Sequence, residues 1–155
     1  MNREHLSGFV AIAFGGCAMA ATLLPVASAD ARPSSHPAAS AAAAVQMLHA
    51  RLRGGSSGDP DGRGHADFKL NRSKGKVCAT VTWSNIGTPT EAHIHRVSDS
   101  TVAVDLTGSV TGGVHCTHGV AAGLIRKIER HPGHFYFNVH NNTYPAGAIS
   151  GKLKR

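Results

Sequence analysis

Aromatic residues are scarce, with one Trp, two Tyr and five Phe in 155 residues. They form no platform interleaved with basic residues, which argues against single-stranded nucleic-acid binding. No segment repeats at a fixed period, so solenoid and propeller architectures are left out. Serine, cysteine and carboxylate catalysis lack a constellation in which nucleophile, base and orienting group can be named. Acidic residues are few, nine against sixteen basic, for a net charge of +7. The basic residues are dispersed over Arg51 and Arg53, residues 72–76, residues 126–130 and residues 152–155. Such dispersal reads as solubility and loose cell-wall association rather than a nucleic-acid surface.

Long apolar runs are confined to the N-terminus. Arg3 precedes an apolar stretch that ends at Val26, followed by the small-x-small step Ala27-Ser28-Ala29. This is the pattern of a signal peptide, residues 1–29, cut to leave Asp30 as the new N-terminus and no membrane span. Cys17 follows Phe14-Gly15-Gly16, a faint echo of a lipid-attachment site, but the apolar run continues beyond it. The expected location is secreted, extracellular, with cell-wall association as a further expectation. The Ala/Gly/Arg-rich composition looks bacterial, so the sequons at Asn71 and Asn141 read as chance matches.

Residues 30–58 read as an Ala/Ser/Gly-rich spacer, disordered or marginally helical. Within it Val45, Leu48 and Leu52 fall on one helical stripe, and Gly54-Gly55-Ser56-Ser57-Gly58 reads as a joint. From residue 59 to 155 the pattern turns to β. Ala66, Phe68 and Leu70 alternate with polar residues, as do Val77, Ala79, Val81 and Trp83, then Val102, Val104 and Leu106. Gly-, Pro- and Asp-containing turns separate these runs. One helix interrupts, since Ala121, Leu124, Ile125 and Ile128 follow the i, i+3, i+4, i+7 rule and His131-Pro132-Gly133 ends it. The expectation is an all-β sandwich, immunoglobulin-like or superoxide-dismutase-like, with one short crossover helix.

Two strands carry the most informative histidines. In Ala92-His93-Ile94-His95, inward Ala92 and Ile94 place both imidazoles on the outer face, about 6.6 Å apart along the strand. In Phe135-Tyr136-Phe137-Asn138-Val139-His140 the same alternation sends Tyr136, Asn138 and His140 outward.

These segments, with Tyr144-Pro145-Ala146-Gly147-Ala148-Ile149-Ser150-Gly151-Lys152-Leu153, resemble the two signatures of the CHRD (chordin) domain family over about residues 62–153. The resemblance implies an immunoglobulin-like sandwich related to copper-zinc superoxide dismutases, and an extracellular interaction module. Secreted bacterial members often carry a cysteine pair in the positions of Cys78 and Cys116. Two departures stand out. Arg96-Val97-Ser98-Asp99-Ser100 replaces a Gly-rich loop, and Ser150 stands where the family has Arg, which weakens any anion-handling role at that position.

Two functions follow. One is a non-enzymatic binding module for an extracellular protein or a cell-wall component. The other is a copper- or zinc-binding protein on His93, His95 and His140, with His115 or His118 as fourth ligand and superoxide-dismutase-like activity as an extension. Among these histidines no Asp is placed as a zinc ligand and no bridging histidine can be assigned; the resemblance does not require a metal and Ser150 removes a steering residue, so the binding module is favoured and the metal protein is the alternative. The bland alternative is a hydrogen-bond network of His93, His95, Asn138 and His140. Cys78 and Cys116 form a disulfide in an oxidising compartment; alternatively Cys116, between His115 and His118, is a thiolate ligand.

Overall fold

A computed structural model describes residues 45–155; the expected signal peptide, Cys17 and the first part of the expected spacer lie outside the described residues. Eight strands form one antiparallel sheet. They are β1 (Gln46–Arg53), β2 (Arg63–Asn71), β3 (Lys76–Ser84), β4 (Pro89–Arg96), β5 (Val102–Asp105), β6 (His115–Thr117), β7 (Phe135–Asn141) and β8 (Ile149–Lys152). Two short helices, α1 (Gly108–Thr111) and α2 (Ala122–Arg130), and a 3₁₀ turn (Pro132–His134) complete it. Among the described residues no helix is long and apolar enough to cross a membrane.

The strand order is β5-β4-β7-β8-β1-β2-β3-β6. The sheet curls until its ends meet, where the Thr117 hydroxyl on β6 donates to the Asp105 carbonyl at the end of β5. Curling turns one face inward, so alternate side chains of distant strands share a core. Phe68 of β2 and Phe137 of β7, both fully buried, meet edge to face at 5.2 Å. Ile125 and Ile128 of α2 add to this core, as the helical spacing requires.

Three differences from the sequence expectation are informative. First, Gln46–Arg53 is a strand in the middle of the sheet, not a spacer or a helix, so the sheet begins ahead of residue 59. Leu48 and Leu52 satisfy both a helical stripe and a period of two; buried Ala50 between them decides for the strand. Second, Trp83 is 37% exposed and Val102 51% exposed, although both sit on core-facing positions. Trp83 lies opposite Gly64, which offers no side chain, and Val102 belongs to the terminal strand β5. Third, α1 is an additional helix that the periodicity did not reveal.

Cys78 and Cys116 stand directly opposite each other on β3 and β6 and are joined by a disulfide. It staples the three-residue β6 to the sheet, and closing a loop with sequence separation 38 stabilises by about 4 kcal/mol in the loop-entropy model.

Gly151 of β8 has no room for a side chain, because a Cβ would run into the Arg51 carbonyl of β1. β1 therefore reaches β8 only over a bare backbone. Gly151→Val should lower the unfolding free energy by about 3 kcal/mol or more, read from the urea midpoint. A variant as stable as the parent would show that this close approach is not required.

Candidate metal centre

Pairing between β4 and β7 sets the site. Glu91 faces His140, His93 faces Asn138 and His95 faces Tyr136, so His93, His95 and His140 lie on adjoining strands. The three rings are mutual neighbours, with centroids 5.5 Å apart for His93 and His95, 5.2 Å for His93 and His140, and 6.0 Å for His95 and His140. One ring nitrogen from each lies within 4.8 Å of the others. Their face of the sheet is nevertheless covered, since His95 and His140 are each only 8% exposed.

The covering segments also orient the rings. A carbonyl can only accept, so Nδ1 of His95 carries a hydrogen that it donates to the Ser100 carbonyl at 3.0 Å. Likewise Nδ1 of His140 donates to the Pro145 carbonyl at 2.9 Å. The neutral form of a ring held in this way has its lone pair on Nε2. The His140 lone pair faces Nδ1 of His93 at 3.3 Å. Nε2 of His95 is buried and has no hydrogen-bond partner. Tyr136 stacks on the His95 ring at 5.0 Å and fixes its plane.

His93 is governed by Asp105 on β5, whose carboxylate stands 3.8 Å from its Nε2. Asp105 is held below the usual carboxylate range, first by the backbone N–H of Thr107, and so stays ionised. Burial, with His140 and His95 nearby, lowers the His93 pKa against the opposing pull of Asp105. The ring is kept neutral, the state in which imidazole ligates metals.

The donor set fits copper or zinc. Two nitrogens bound at 2.0–2.1 Å to one tetrahedral ion lie about 3.3–3.4 Å apart, the spacing already present between His93 and His140. Hydrogen bonds from the far ring nitrogens to carbonyls supply the orienting contacts that metal-bound histidines normally have. Without metal, His93 can donate from Nδ1 to His140, but that leaves Nε2 of His95 unmatched.

His115 and His118 do not join the group. The His115 ring packs against Gly108 of α1, and His118 lies exposed beyond β6. Cys116 is committed to the disulfide, which removes the thiolate alternative. Asn138, buried and paired with His93 across the strands, donates its amide to the Ala146 carbonyl at 3.1 Å, while its Oδ1 is buried without a partner. The sequence reading missed Asp105, although it occupies an outer-face position of its strand, and missed the two carbonyls, which no side-chain pattern reveals.

The family model of the CHRD domain matches residues 48–153. No curated protein and no solved structure matches the chain.

Because the His93 pKa is lowered, the folded state binds fewer protons than the unfolded chain just below its ordinary value near 6.5. This contribution to stability is present above that value and is lost as pH falls from it toward the folded pKa. The metal-free protein in chelator should therefore melt lower at about pH 5 than at about pH 7, and His93→Gln should flatten that difference. An identical slope in the variant would assign the pH dependence to other groups.

Proposed function

The chain belongs to the CHRD domain family, and we propose that it is an exported bacterial member, a non-enzymatic module that holds a copper or zinc ion on His93, His95 and His140. The buried, unpartnered Nε2 of His95 carries this reading. Burying an acceptor without a donor is costly, and a metal ion bound there removes the cost while using the facing lone pairs of the other two rings. Copper and zinc are the metals suited to neutral imidazole donors. A bound ion would add cross-links between β4 and β7 at their outer face. The chemistry it supplies when bound is Lewis acidity, and for copper a redox couple.

The partner proposed for the module is an extracellular protein or a cell-wall component. Export is supported by the Ala27-Ser28-Ala29 step and by the disulfide, which suits an oxidising compartment. N-terminal sequencing of protein recovered from the culture medium should begin at Asp30. An intact Met1, or a lipid on Cys17, would overturn that part of the proposal.

Metal that binds only the folded state raises its stability by about 2.7 kcal/mol at a hundredfold excess over Kd, roughly 10 °C or more for a domain of this size. Untagged protein should show this gain with Cu(II) or Zn(II). The triple change of His93, His95 and His140 to Ala should abolish it, and His118→Ala should keep it. A melting curve unmoved by saturating metal would leave the histidines as a hydrogen-bond network.

A further inference from the structure

Beyond the end of β4 the surface opens into a groove of about 710 Å³. Arg96, Lys127 and Lys152 line it together with His131 and His134, and no carboxylate does. Arg96 ends β4, Lys127 projects from α2 and Lys152 ends β8. Cations dispersed along the sequence are thus gathered at one place by the fold.

None of the three takes part in the ion pairs of the described residues. The acidic groups close by in sequence are occupied. Asp99 accepts from the backbone and hydroxyl of Thr101 and sits near enough to Arg96 to feel its charge without forming an ion pair or lining the groove, and Glu129 pairs with Arg72 at 3.5 Å. Arg96 gives one N–H to the Thr101 hydroxyl at 2.9 Å, leaving the rest of its guanidinium available. His131 and His134 stack at 5.2 Å and make a flat wall, while Phe135 and Val97 supply apolar surface. A concave site lined by one sign of charge concentrates counter-ions, and an apolar patch between cations suits the carbon skeleton of a ligand bearing several anionic groups.

We propose that this groove binds a multiply charged oxyanion, a run of phosphate or carboxylate groups held by Arg96, Lys127 and Lys152. This goes beyond the metal site, with which it shares no residue.

The test is calorimetric titration of chelator-treated protein, in EDTA at low salt, with tripolyphosphate and with trigalacturonate. Binding should weaken as salt is added, because the contacts are screened charges. The exposed pair Lys127→Glu/Lys152→Glu should weaken it at least about tenfold, and Lys127→Gln/Lys152→Gln in the same direction. Arg51→Glu/Lys69→Glu removes equal charge outside the groove and should change affinity about twofold or less. Binding of tripolyphosphate alone identifies a phosphate-bearing ligand, whereas binding of the uronate identifies a carboxylate-bearing one. Failure of both probes at about 1 mM, or equal losses in the groove and control pairs, overturns the proposal.

Discussion

The register between β4 and β7 is the constraint on which the candidate metal centre depends. Side chains alternate across a strand, so a slip of one residue would turn His93, His95 and His140 into the core and expose Ala92, Ile94, Phe137 and Val139. The hydrophobic face therefore holds the histidines in place without touching them. What the core sets coarsely, loop carbonyls refine. Ser100 and Pro145 select the tautomers of His95 and His140, and Tyr136 sets a ring plane.

These rings illustrate how a sheet's outer face becomes a second, polar interior. The turn after β4 and the segment before β8 fold over it, and both are pinned by side chains of the strands they cover. Asn138 donates to the Ala146 carbonyl, and Asn141 accepts from the Tyr144 backbone N–H at 2.7 Å while donating to the Ile86 carbonyl. The segment that supplies the Pro145 carbonyl is thus anchored at both ends. Polar groups in such a place must find partners or remain costly, which is why one unmatched nitrogen is informative there.

Much of this was legible in the sequence. Alternation located β2, β3, β4, β5 and β7, and the 3.6-residue period located α2, because each pattern spans more than one turn or pleat. The facing of His93, His95 and His140 followed from the same alternation. The CHRD resemblance and the structural all-β class agree. What the pattern could not decide was β1, where Leu48 and Leu52 fit either period and Ala favours a helix in isolation. Neither could it show that outward histidines would be buried, since burial depends on loops whose paths no periodicity encodes. His115 and His118 were grouped with the site by residue type alone. The fold brings His115 near Asp105, where the two ends of the sheet meet, but its ring packs against Gly108 and stays outside the three-histidine group, while His118 lies exposed.

β1 lies between β2 and β8, so the first described strand is completed by the last. Gly151 exists at that seam to let the two backbones come close. A chain supplied from its N-terminus, whether by synthesis or by threading through a pore, must keep one edge of β1 open until β8 has arrived. Closure is then a late event that waits for the whole chain, and contacts so distant in sequence form slowly.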